Sequence, residues 1–260
     1  IHVLCLPSVN SKRDSQASVF FLNLVIDATC TLDIIIRYTQ ATNQKMNTKQ
    51  RLKHLENSKD LHIELLKMTI EADNNKLFVL DLLAIAVYKR SISLINGFCD
   101  SIRKNNFICA APLIRLQLDN LIRFYASFIV KNPHEFTSQV IDGKHIRNLK
   151  DQDGNRMTDR YLVEKLSIDH KWIESVYKET SGYIHLSNKH IFSSIKTNRD
   201  KESLKFNFQL TKDNSEQNDA DLIFESIAAM TKITELLLKY LHGWAYTKDN
   251  PKLAKKRTND

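Results

Sequence analysis

A mainly α-helical fold, a multi-helix bundle with one small antiparallel β-hairpin, is predicted by three observations. Only 5 glycines and 4 prolines punctuate 260 residues, too few turn-formers for an all-β chain. Apolar residues recur at helical spacing through long stretches that hold neither. The exception is Leu204, Phe206, Phe208 and Leu210, which alternate with Lys205, Asn207 and Gln209 as a strand with one buried face does. A composition 42% hydrophobic and 26% charged supplies a core and excludes a disordered chain.

The chain opens on Ile1, and its first methionine is Met46. Residues 19–36, VFFLNLVIDATCTLDIII, approach the apolarity of a membrane span. Asp27 and Asp33 would each cost about 2.5 to 3.5 kcal/mol near a bilayer centre, and no signal-peptide pattern is present. Residues 1–45 are expected to be a non-native N-terminal extension or an accessory helix, and no membrane partner is expected.

From residue 46 to 247 a single helical domain is expected. Leu52, Leu55, Leu61, Leu65, Leu66 and Ile70 mark an amphipathic helix over 48–73, stopped by Asn74 and Asn75. The next, about 76–104, is apolar around much of its first half and is expected to be central; it stops at Asn105 and Asn106. A third, about 107–130, is more apolar still, and its Pro112 is tolerable only in or near the first turn. From Pro133 to Asp159 the glycines and polar runs predict short helices and loops, with Thr158 or Asp159 capping a helix through Leu166. Another helix spans about 169–180, the hairpin lies near 190–211, and a closing helix spans about 217–246.

The formal charge of +8 points towards a polyanion, but residues 248–260 hold five basic and two acidic side chains, so +3 belongs to an expected disordered basic tail. Four isolated cysteines, with no CxxC, suit a reducing compartment, so the protein is expected in the cytoplasm.

Two polar constellations remain. Arg115, Asp119 and Arg123 follow at i, i+4 and i+8 and form one stripe on the apolar third helix. Either Arg115 and Asp119 satisfy each other or the stripe lines a solvated cleft; in the first case, removing Asp119 would cost about 3–5 kcal/mol. The other is SGYIHLSNKH, Ser181 to His190. Tyr183, His185 and Ser187 share a face in extended chain, and His190 follows. Two histidines with no HExxH and no third ligand do not make a metal site. A histidine can serve as acid or base near neutrality, or be a hydrogen-bonded junction residue. The motif is expected to face the third helix, with Tyr183 and His185 directed at Arg115 and Asp119.

The order NNFICAAPLIRLQLDNLIRFY, GKHIRNLKDQDG with MTDRYL, then VYKETSGYIHLSNKHI, resembles a group of uncharacterised bacterial helical proteins over about residues 46–245. These are similar in outline to HEPN domains, helical bundles that often dimerise and in many cases cleave RNA in toxin–antitoxin and phage-defence systems. No Arg of this chain is followed at HEPN spacing, four to six residues on, by His, so those roles would have to come from separate elements.

Two functions remain open. One is a non-catalytic binding or interaction module, with Arg115, Asp119, Arg123, Tyr183 and Ser187 as binding residues. The alternative is a metal-independent ribonuclease in which His185 or His190 deprotonates a 2′-hydroxyl and Arg115 stabilises the phosphate. Neither needs a cofactor. The partners they allow are RNA or a nucleotide, and a second copy of the chain. P-loop, GxGxxG and GxSxG motifs are absent from the sequence.

Overall fold

The computed structural model describes residues 46–184, 195–200, 203–208 and 217–250. Residues 1–45, His185, Ser187 and His190, and residues 251–260 lie outside them, as do 190–194, 201–202 and 209–211 of the hairpin expected near 190–211. Among the described residues the packed body is all-helical: α1 (Thr48–Asn75), α2 (Val79–Arg103), α3 (Phe107–Tyr125), α4 (Pro133–Ile141), α5 (Asp159–Ser167), α6 (Trp172–Ser181) and α7 (Gln217–Asp249). Two 3₁₀ turns, Ala126–Phe128 and Ile146–Asn148, join them.

The stops read from polar pairs act as stops. Asn47 opens α1 with a capping box, its side-chain Oδ1 accepting from Gln50 N while Gln50 Oε1 accepts from Asn47 N, each at 2.9 Å. Asp73 (φ 51) and Asn74 (φ 57) end it in the left-handed region, which short polar side chains tolerate. Asn105 (φ 52) turns the chain after α2, and Asn106 caps α3 by accepting from Cys109 N at 3.1 Å.

α1, α2, α3 and α7 form the bundle. α2 runs antiparallel to α1: Lys59 reaches Asn96 at 2.9 Å near one end, and Thr69 meets Tyr88 at 3.2 Å nearer the other. α3 returns along α2, where Asn120 donates to the Val87 carbonyl at 3.2 Å. α7 lies parallel to α1, with Arg51 over Phe224 at 4.2 Å and Lys248 on the Thr69 carbonyl at 2.6 Å. α4 to α6 lie in the long crossover between α3 and α7, and α5 and α6 pack across α3. The core holds Tyr88, Phe98, Leu118, Leu121 and Phe124, all inaccessible.

Four expectations need correcting. The enclosed helix is α7, apolar and buried on every side from Ile227 to Ala245 except at a few points, whereas α2 buries one face and exposes the other. α2 is the one described helix long and apolar enough to cross a membrane; here its buried face packs on α1 and α3. Pro112 is the sixth residue of α3, just past the first turn, as a start at Phe107 requires, but the α-helix ends at Tyr125, short of 130, because Ala126–Phe128 tightens into a 3₁₀ turn. Ile70, assigned to the core stripe of α1, is 43% exposed, while the polar Ser58, His62 and Thr69 are buried in its place. Lys248, counted with the basic tail, lies in the last turn of α7.

Lys248 forms a dry clamp. Its Nζ donates to Asp81 Oδ2 at 2.9 Å with both side chains 0% exposed. Trp244 Nε1 donates to Asp81 Oδ1 at 2.7 Å, and Phe78 N to Asp81 Oδ2 at 2.7 Å. Phe78 stacks on His134 at 5.4 Å. Buried charges are tolerable only when so completely bonded, and this set ties the ends of α1 and α7 to the start of α2.

Candidate functional site

The stripe on α3 is built as its spacing requires, but its partners are not those expected. Asp119 sits between two arginines: Arg123 Nε donates to its Oδ1 and Arg90 Nη1, from α2, to its Oδ2, each at 3.1 Å. Arg115 pairs instead with Asp159 at 3.7 Å, and Arg123 also donates to Asp159. Asp159 reaches them because α5 crosses α3, and its place in the first turn of α5, beside the cap Thr158, suits a carboxylate electrostatically. The result is a chain, Arg90–Asp119–Arg123–Asp159–Arg115, of three cations and two carboxylates.

Apart from Arg115, its members keep 23–41% of their side chains exposed, so water screens them. Arg115 is different. Its side chain is 9% exposed and its guanidinium lies 4.3 Å over the Tyr177 ring, a cation–π contact from α6. The separation from Asp159 exceeds hydrogen-bonding distance, and among the described residues no acceptor takes a hydrogen bond from Arg115. A guanidinium carries five N–H donors, so these remain for water or a ligand.

Tyr183 packs edge-on against Phe107 at 5.7 Å, at the start of α3. Arg115 lies eight residues further along, about 12 Å at 1.5 Å per residue. The aromatic over Arg115 is Tyr177, whose position on α6 next to the exposed Lys178 gave no sign of it. Residues 185–190 of SGYIHLSNKH fall outside the described residues.

A second polar set went unread in the sequence. His62 Nδ1 meets the Ser58 carbonyl at 2.7 Å, and its Nε2 meets Ser91 Oγ at 2.8 Å. Gln117 Nε2 donates to Ser91 Oγ at 2.6 Å and to Thr234 Oγ1 at 3.1 Å. The carbonyl can only accept, so Nδ1 carries the proton and Nε2 accepts from the serine. Burial pushes the His62 pKa down to about 4, leaving it neutral at pH 7. A serine beside a histidine resembles a nucleophile and its base. All four side chains are 0% exposed, so no substrate reaches them and the set is a core network. Its trace in the sequence is Ser58 and His62 lying among Leu55, Leu61 and Leu65 on one face of α1.

α7 holds Glu235, 8% exposed, with its Oε1 bonded to no described residue. Burial raises its pKa to about 7, against the pull of Lys239 and Lys232. Among the described residues no three His, Cys, Asp or Glu side chains cluster as metal ligands.

No family model, no curated protein and no solved structure matches this chain.

Proposed function

We propose that this chain is a non-catalytic helical binding or interaction module of the bacterial cytoplasm, acting in a defence or toxin–antitoxin setting as the resemblance to HEPN-like bundles implies. The observation that carries the non-catalytic reading is the partnering of the α3 stripe. Asp119 is held between Arg90 and Arg123, Arg115 is stacked and ion-paired, and the one serine–histidine pair among the described residues is sealed in the core. The hairpin near 190–211 belongs to this reading. It is supported by an antiparallel register that sets Ile195 opposite Phe208 and Thr197 opposite Phe206. A second copy as partner is supported by Ile63 and Ile70, exposed seven residues apart on α1.

One observation favours the ribonuclease alternative, namely the unspent donors of Arg115 beside an excess cation. Incubating the full chain with total RNA, with no metal and with chelator, tests the two. The binding-module reading expects intact RNA from the native chain. Cleavage that persists in chelator and is abolished by both Arg115→Ala and His185→Ala would replace it with the nuclease.

A further inference from the structure

A pocket of about 410 Å³ opens between α4 and the chain that follows it, within the range of small-ligand sites. Val130 and Phe136, each 4% exposed, and the half-buried Leu149 give it an apolar floor; Lys131, Asn148 and Lys150 stand at its edge with Glu135, whose carboxylate accepts from Gln139 Nε2 at 3.3 Å. The first N–H groups of α4 are not what is on offer, because Asn132 Oδ1 already accepts from His134 N and Glu135 N.

The wall formed by residues 148–157 is pinned from below. Asp151, 6% exposed, accepts from Asp153 N at 3.0 Å, from Asn155 N at 2.8 Å and from the Tyr161 hydroxyl. Gln152 N donates to the Ile129 carbonyl and Met157 N to the Leu149 carbonyl, and the Met157 side chain is fully buried. A loop held this firmly by buried anchors presents its outer side chains in fixed positions.

Those outer side chains are cations. Asp151 faces inward and Asp153 pairs with Lys165 at 3.6 Å, so Asp142 within 142–156, and Glu135 across the pocket, oppose the four cations Lys144, Arg147, Lys150 and Arg156. None of these four basic groups forms an ion pair among the described residues. Lys150 and Arg156 are direct antiparallel bridge partners. Like charges directly opposite one another are destabilising, and an anion between them would remove that cost.

We propose that this pocket binds a nucleoside phosphate, with the base over the Phe136–Leu149 floor and the phosphate on Lys150 at the pocket edge and on its bridge partner Arg156, which stands next to Lys150 outside the lining. An apolar floor beside paired cations matches a flat ring joined to an oxyanion, whereas an acidic peptide would use the cations and leave the floor empty. The ligand is either a free nucleotide or a residue of single-stranded RNA. The site is separate from the α3 network and does not depend on whether that network is catalytic.

The test is binding of AMP by calorimetry and of a fluorescent single-stranded RNA decamer by anisotropy, at low and moderate salt. The full chain is compared with Lys150→Glu/Arg156→Glu, with the charge-matched Lys53→Glu/Lys67→Glu on α1, and with Asn148→Trp, which fills the pocket without changing charge. Binding of either probe is expected to weaken about tenfold or more in the loop double variant and in Asn148→Trp, and less than twofold in the α1 variant. AMP binding identifies the free nucleotide, and decamer binding alone identifies RNA. For RNA, losing the one phosphate held by both cations should also reduce the salt slope by about 0.7. The proposal is overturned by no binding of either probe, by equal loss in the two double variants, by full binding in Asn148→Trp, or by equal competition from polyglutamate.

Discussion

Two charge networks in this molecule use the same chemistry to opposite ends. At the junction of α1, α2 and α7, Asp81 and Lys248 are both 0% exposed, and every charge-bearing atom is met by Trp244, Phe78 N or the Thr69 carbonyl. On α3 the chain from Arg90 to Arg115 has one cation too many, is mostly half-exposed, and leaves Arg115 donors unspent. In the dry clamp, desolvation makes partial satisfaction intolerable, so the set is complete and structural. In the wet stripe, solvent forgives an imbalance, and an unbalanced set is what a ligand can use.

The sharpest way to break this contrast is to remove one member of the clamp. Lys248→Met should destabilise the fold by about 3–5 kcal/mol, because it leaves the Asp81 carboxylate buried beside an apolar chain. Adding Asp81→Leu should recover part of that loss. Urea denaturation measures both, and a single-variant cost near zero would mean that water enters the clamp.

His62 carries the same logic into pH. Its folded pKa of about 4 lies below the ordinary histidine value of 6.5, so the unfolded chain takes up the proton first. Stability is therefore full above pH 6.5 and falls as pH drops towards 4, by about 3 kcal/mol for this group. Denaturation curves of the native chain and His62→Gln at pH 7.5 and 4.5 check it: the gap between them should shrink at the lower pH.

Glu235 should behave with the opposite sign. Its pKa is raised from 4.5 to about 7 by burial, so the folded state holds the proton longer and stability is lost as pH rises from 4.5 through 7. Glu235→Gln should stabilise the protein by up to about 3 kcal/mol at pH 8 and change little at pH 4.5. Melting at the two pH values reads the difference, and equal effects would place the carboxylate in contact with solvent.

The smallest effect is expected in the wet stripe. Asp119→Ala leaves two arginines that water can still reach, so the cost should be about 1 kcal/mol or less, well below the 3–5 kcal/mol of an orphaned buried charge. A larger loss would move the stripe into the same class as the clamp.

Much of the architecture was legible in the sequence because it is local. Helix periods, the asparagine stops at 74–75 and 105–106, the Thr158 cap and the single-face spacing of Arg115, Asp119 and Arg123 depend on neighbours within a few residues. The candidate site was legible only as a set of residues on α3. Tyr177 comes from α6, Asp159 from α5 and Arg90 from α2, and nothing in the spacing of α3 specifies them.

The sequence by itself determined which segments are helical and which side chains are charged, since propensity, capping and periodicity are properties of short stretches. Tertiary structure alone decided which charges are dry. Lys248 belongs to the basic C-terminal stretch and Asp81 to the opening turn of an apolar helix, and they pair because α7 runs parallel to α1 and ends where α2 begins. Arg115 and Asp119, one turn apart, do not pair: α5 and α6 bring Arg115 against Asp159 and Tyr177, while α2 brings Arg90 to Asp119. Burial and pairing depend on the distance between elements far apart in the chain, and a carboxylate or guanidinium keeps the same formula whether it ends in water or in the core.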